Sequence, residues 1–225
     1  NVIRIVCVDV VTPASRCFGQ TVGNIYTLAG TGAAGSSGDG AAAGAATLSS
    51  PRKVAVDANN NIAIADSGNN KIRMVCAGAL GYCASFPGVA GNIYTAVGTG
   101  AAGFAGDGAA ATAAGLEASN VGFDSDGNIL ITDTPNGLVR IACASVGAGF
   151  CSKVVAGNID PAGAAGTLYR IYKIAGSAGV ITGHAGDGGV AKSAVFSMVT
   201  HAIGDASGNL IVVDQNGNRI RFARP

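Results

Sequence analysis

Apolar residues recur along the chain in short runs, each closed by Asp, Asn or Gly. Runs this short, rich in Val and Ile and bounded by turn formers, predict β-strands. Residues 53–66 read KVAVDANNNIAIAD, two apolar runs about a polar turn. The arrangement returns as NVGFDSDGNILITD at 120–133 and as HAIGDASGNLIVVD at 201–214. Between the runs sit Asn59-Asn60, Asp126-Gly127 and Ser207-Gly208, dipeptides that tolerate positive φ and suit tight hairpins. A further run follows each pair: KIRMVC, LVRIAC and RIRFAR.

Another run and a glycine-rich connector stand ahead of each pair. Residues 23–40 read GNIYTLAGTGAAGSSGDG and residues 91–108 read GNIYTAVGTGAAGFAGDG, while the third copy, IYKIAGSAGVITGHAGDG at 171–188, has degenerated. Arg73, Arg140 and Arg221 recur at spacings of 67 and 81, the extra length falling in GNIDPAGAAGT before Tyr169. Repetition at a fixed period marks a repeat architecture. Each unit then holds four strands, at 25–29, 53–57, 61–66 and 71–76 in the first. The predicted fold is all-β, a β-propeller of four-stranded antiparallel blades in a single domain spanning 1–225. Three full blades are expected at about 23–76, 91–143 and 167–225. Residues 1–8 add one orphan fourth strand, since VIRIVC aligns with KIRMVC.

The pattern V-x-x-D, then G-N-hydrophobic-x-hydrophobic-x-D, then N-x-x-I-R resembles the NHL-repeat family of β-propellers. Residues 54–57, 61–66 and 70–73 carry it in the first unit. Residues 123–124, 127–133 and 136–140 carry it in the second, and 203–205, 208–214 and 218–221 in the third. The G-D-G connectors and the cysteine after the I-R strand are similar to the secreted bacterial branch of that family. The resemblance implies the fold and says little about activity, because such propellers serve many functions.

Composition narrows the function classes. Only 12% of residues are charged and the formal net charge is +1, against the basic excess of a phosphate-tracking nucleic-acid binder. With 48% hydrophobic residues the chain collapses rather than staying disordered. Residues 74–106 carry no charge, yet Pro87, Asn92 and many glycines break them, and membrane insertion is not expected. Asn1 opens directly on strand-like residues, so any export signal is expected to be gone already.

Six cysteines fall in three near pairs, Cys7 with Cys17, Cys76 with Cys83 and Cys143 with Cys151. Six allow 15 connectivities, and none of these pairs has the C-x-x-C spacing of a zinc or redox site. Local disulfides in an oxidising compartment are expected, with buried thiols as the alternative. Each pair lies after a fourth strand and before the next first strand, so a local bridge would staple a blade-to-blade crossover.

Gly30 to Gly35 and Gly98 to Gly103 match G-x-G-x-x-G, but the second glycine cluster that follows suits a blade connector rather than a nucleotide-binding helix start. Asp39, Asp107 and Asp187 lie in the connectors; Asp57, Asp66, Asp124, Asp133, Asp205 and Asp214 end strands. Most are expected to cap turns. Asp124 and Asp126 imitate the start of a calcium loop, so calcium is the one candidate cofactor. Arg4, Arg73, Arg140 and Arg221 recur on fourth strands and are expected to pair with strand-end aspartates. His184 and His201 are the only histidines, too few for a three-histidine zinc site, and His184 with Asp187 lacks a nucleophile motif.

These readings converge on a secreted or cell-surface module that binds or assembles rather than catalyses, such as a filament or envelope component. The alternative is a propeller-type lyase or hydrolase with a metal in the central channel. The connectors are expected to share one face and form the interface through Gly35, Gly38, Asp39, Gly103, Phe104, Asp107, Gly186 and Asp187. Gly35→Trp or Gly103→Trp should then weaken binding and leave the fold intact. Three blades are fewer than the roughly four to eight of closed propellers. Either a longer parent chain or other copies of this one complete the ring, with Val2, Ile3, Arg4, Ile5 and Val6 adding as a strand to a neighbour.

Overall fold

The computed structural model describes residues 1–8, 17, 20–144, 151–152 and 168–224. The run GNIDPAGAAGT lies wholly outside them. Strands β1 (Ile3–Val6) and β2 (Ile25–Ala29) form a two-stranded sheet. A four-stranded sheet follows from β3 (Pro51–Val56), β4 (Ile62–Asp66), β5 (Lys71–Val75) and β6 (Ile93–Val97). The next comprises β7 (Asn120–Phe123), β8 (Ile129–Asp133), β9 (Leu138–Ala142) and β10 (Ile171–Ala175). The last holds β11 (Val199–Gly204), β12 (Leu210–Asp214) and β13 (Arg219–Ala223). Every pairing is antiparallel between consecutive strands, so the fold is all-β.

The strands group one step later than the predicted blades. Run 25–29 does not open the sheet of 53–76; it pairs with β1, and its equivalent β6 closes the sheet begun by β3. The boundaries 23–76, 91–143 and 167–225 therefore become sheets spanning 51–97, 120–175 and 199–223. The cause is the connection after the I-R strand. Cys76 N–H donates to the Asn92 carbonyl (3.0 Å) and Gly91 N–H to the Cys76 carbonyl (2.8 Å), closing a hairpin that returns the chain to the edge of β5. The glycine-rich connector, not this hairpin, leaves for the next sheet. Gly98 begins that departure at φ +97°, where an added Cβ would lie 2.4 Å from the Asn70 carbonyl oxygen.

The strand expected within residues 1–8 forms as β1, but it is paired with β2, Arg4 facing Thr27 and Ile5 facing Tyr26. The expected disulfides form, Cys7–Cys17, Cys76–Cys83 and Cys143–Cys151, with Cα–Cα distances of 5.5, 5.7 and 5.8 Å. They brace hairpins within sheets rather than crossovers between them.

The sheets stack face to face in the manner of propeller blades, and no closed ring forms among the described residues. Ile64, Val75 and Ile93 meet Ala29 and Leu48 in one layer. Ile72, Met74 and Tyr94 meet Leu116, Val121 and Ile131 in the next. Val139, Ile141 and Tyr172 meet Phe196, Leu210 and Val212 in the third. Strands β4, β8 and β9 are buried throughout because sheets cover both their faces. Each such Leu or Ile stabilises the stack by about 1.5–3 kcal/mol.

Candidate functional site

The repeated aspartates serve two different structures. At the hairpin between β7 and β8, Asp124 Oδ1 accepts N–H bonds from Asp126 (3.0 Å) and Asn128 (2.9 Å), and its Oδ2 accepts the Asn128 side-chain amide (2.9 Å). Asp57 with Asn61 and Asp205 with Asn209 repeat this turn. Burial raises the Asp124 pKa above its usual value, against the pull of Asn128. Asp205 is held below it by its bonds from Asn209. The calcium candidates Asp124 and Asp126 thus sit in a turn whose acceptor oxygens already serve N–H groups. Among the described residues no group of three potential metal ligands gathers.

The second set holds the arginines. Arg73 Nη2 donates to Asp39 Oδ1 (2.7 Å), while the strand-end Asp66 is 3.7 Å away. Arg140 Nη2 reaches Asp107 at 2.9 Å and Arg221 Nη2 reaches Asp187 at 2.6 Å. The expected strand-end partner is therefore the more distant one: the G-D-G turn, with Gly38 at φ +91°, folds the connector aspartate over the strand. Each guanidinium also donates to connector carbonyls, for Arg140 those of Gly115 (2.7 Å) and Ala105 (3.3 Å). Buried Asp133, 4.0 Å from Arg140 Nη1, has its pKa pushed up to about 6 by desolvation.

These contacts tie Gly35, Gly38, Asp39, Asp107, Gly186 and Asp187 to the scaffold. A Cβ on Gly35 would lie 2.6 Å from Thr47 Oγ1, on Gly38 2.7 Å from Ala46, and on Gly186 2.9 Å from Ala194. Gly103 sits at φ +125°. Gly35→Trp would accordingly disturb the fold it was expected to spare, and Gly103→Trp would strain it. Phe104 remains exposed.

A third set escaped sequence reasoning. Lys53, Asn120 and His201 hold one position, four residues before the turn aspartate, on the first strands of the three larger sheets. Asn120 Nδ2 lies 2.8 Å from His201 Nδ1, and burial together with the Lys53 charge lowers the His201 pKa. The residue types differ, so only their shared spacing to Asp57, Asp124 and Asp205 could have revealed the row. His184 is exposed.

The outer edge separates the copies. Gly40 N–H donates to the Ile93 carbonyl (2.8 Å), Ile93 N–H to Ala41 (3.0 Å) and Ala43 N–H to Gly91 (2.9 Å), clipping the connector onto β6. Gly108, Ala109 and Ala111 clip onto β10 alike, at 2.8, 3.2 and 2.8 Å. The third connector keeps the turn, Gly176 N–H donating to Ala191 (3.0 Å) as Gly98 does to Ala111 (3.0 Å). Among the described residues, however, β13 pairs only with β12, and the N–H groups of Gly188 and Ala191 donate to nothing. A cavity of about 730 Å³ fills the place of a fourth strand, between the connector at 186–192 and β13, floored by Ala175, Phe196 and Val212.

Comparison with known proteins agrees with the repeat. The NHL repeat family model matches residues 48–73, from the end of a connector into β5. A crystal structure of a structural genomics protein of unknown function from Bacteroides thetaiotaomicron VPI-5482 is similar over 90% of this chain, with a TM-score of 0.56 and 13% identity. This chain spans 40% of that protein's length, and the likeness is one of fold. No curated protein matches.

Proposed function

We propose that this chain is a non-catalytic β-propeller interaction module of the secreted NHL type, assembling with copies of itself outside the cell or at its surface. One observation carries the reading. Ile220 and Phe222 of β13 are 68% and 56% exposed, whereas their counterparts Ile72, Met74, Val139 and Ile141 are wholly buried. An exposed apolar face of this kind marks an interaction surface. At the opposite end of the stack, β3 exposes Val54 and Val56. Two unlike apolar ends fit a heterologous, head-to-tail contact. Three disulfides favour an oxidising environment. The recurrent charges hold connectors in place, which suits a scaffold that binds through its shape.

Sedimentation velocity on the natively isolated protein tests this. Species larger than the 21.8 kDa monomer are expected, reverting to monomer in Ile220→Glu and Phe222→Glu. A wild-type chain that stays monomeric at all concentrations overturns self-assembly.

A further inference from the structure

We propose that Asn120 and His201 form an acid-sensitive latch between the sheets of residues 120–175 and 199–223. Its bond to the Thr200 carbonyl holds while the His201 ring is neutral and is lost when the ring takes up a proton. Both residues lie on the first strands of their sheets, β7 and β11, and both are half-buried. Asn120 Nδ2 donates to the Thr200 carbonyl oxygen at 2.9 Å and lies 2.8 Å from His201 Nδ1. These two contacts use both hydrogens of the amide nitrogen. His201 Nδ1 must therefore accept, and the proton of the neutral ring sits on Nε2. The opposite amide orientation fails, because it would set Oδ1 against the Thr200 carbonyl oxygen, acceptor to acceptor. That carbonyl is within reach because β11 carries a bulge. Its register on β12 shifts between Val199 and His201, and Thr200 has no partner residue there. The preceding carbonyl, that of Val199, accepts the Thr134 hydroxyl at 2.6 Å, so the two sheets are tied at consecutive residues.

Charging the ring breaks this arrangement. A proton on Nδ1 turns the acceptor into a donor and sets two N–H groups head to head. Turning the amide over would let Oδ1 accept from the ring, but it would point the same oxygen at the Thr200 carbonyl. The amide cannot serve both partners of a charged ring, and the bond between the sheets is given up. The surroundings set where this happens. Strand β11 packs against β7, β8, β9 and β12, which bring Asp124 just beyond β7, Asp133, Arg140 and Asp214. Asp124 is engaged by its turn, Asp133 by Asn136, Arg140 by Asp107, and Asp214 by the N–H groups of Ser197 and Met198. Asp205, at the end of β11 itself, is engaged by Asn209. Lys53 is the charge that acts on the ring, and together with burial it lowers the His201 pKa below the ordinary value. The ring therefore charges in mildly acid solution. Lys53 holds the latch position one sheet earlier, and its ammonium makes no hydrogen bond among the described residues, so the latch belongs to this one interface.

Heteronuclear NMR of the two histidine rings in the full chain tests the latch, with His201→Gln separating the His201 signals from those of the exposed His184. Above neutral pH the His201 ring is expected to carry its proton on Nε2. On acidification the Asn120 side-chain amide signals should move with the same midpoint as the ring. In His201→Gln that movement should vanish. Asn120→Asp puts a carboxylate beside Nδ1–H and should raise the ring's midpoint by about one pH unit or more. Lys53→Met should raise it by less, leaving the Nε2 tautomer and the shared midpoint in place. A neutral ring with its proton on Nδ1 overturns the latch. So does an Asn120 amide that stays unmoved while the ring titrates, or one that still moves in His201→Gln, where a carboxyl such as Asp133 would be the source. A folded Asn120→Asp chain with an unchanged midpoint overturns it as well. If that variant does not fold, the tautomer and the shared midpoint of the wild-type chain decide the matter by themselves.

Discussion

The sheets of residues 120–175 and 199–223 carry the same connector, the same arginine and the same aspartate, and differ by one strand. In the first, Arg140 is fully buried and the Asp107 side chain is 36% exposed. In the second, Arg221 is nearly as buried, but Asp187 is 70% exposed. The ion pair forms in both, at 2.9 and 2.6 Å. The arginine strand and the G-D-G turn therefore set the geometry, and the outer strand supplies exclusion of water. Arg221 finds partial shelter 5.1 Å over the Phe196 ring, where the other copies have Leu48 and Leu116.

Deleting each arginine should expose that difference most strongly. Arg140→Leu strands the buried Asp133 and frees three connector groups, at a cost of about 3–5 kcal/mol. Arg221→Leu leaves Asp187, already in water, and frees the Val195 and Ala185 carbonyls, and should cost about 1–2 kcal/mol. Urea unfolding of both variants checks the gap; equal losses would mean that the outer strand has no role in the strength of the pair.

A second route turns the complete sheet toward the incomplete one. Cys143–Cys151 closes an eight-residue separation beside β9, at the root of the hairpin that returns as β10. The double replacement by serine should cost about 2–3 kcal/mol in the chain-entropy model. Hydrogen exchange should quicken at Ile171, whose N–H reaches Ala109, before it quickens in β8. Uniform exchange across the sheet would show that the bridge does not hold the outer strand.

Strands were legible because Val, Ile and Asp repeat in step, and the cysteine partners because each pair sits within one loop. Strand grouping was not. The runs 25–29 and 93–97 have loops on both sides, and the closing bonds of Cys76 to residues 91 and 92 involve backbone atoms that any residue has. The arginine partners were half legible: two aspartates recur at fixed distance, and only the positive-φ glycines of the connector decide which is nearer. The row of Lys53, Asn120 and His201 was hidden because three different side chains share one place.

The smallest effect concerns protons. Burial raises Asp133 to a pKa of about 6, well above the ordinary 3.8 of the unfolded chain, and Asp133 Oδ2 accepts no hydrogen bond among the described residues. Between those values the native state holds a proton that the unfolded chain has released. By linkage, stability from this group falls as pH rises from about 4 to 6, and the full cost stays in place above 6. Acidifying from pH 7 to pH 5 should therefore recover about 1–1.5 kcal/mol. His201 works in the opposite sense: its lowered pKa means the unfolded chain takes up the proton first, so acidification below about 6.5 costs stability. Total stability against pH mixes the two. The difference between wild type and Asp133→Asn does not, because His201 is common to both chains. That difference should shift in favour of wild type by about 1–1.5 kcal/mol between pH 7 and pH 5. A difference that stays flat would place the Asp133 carboxylate in contact with water or with Arg140, and the dry interior claimed for the complete sheet would be lost.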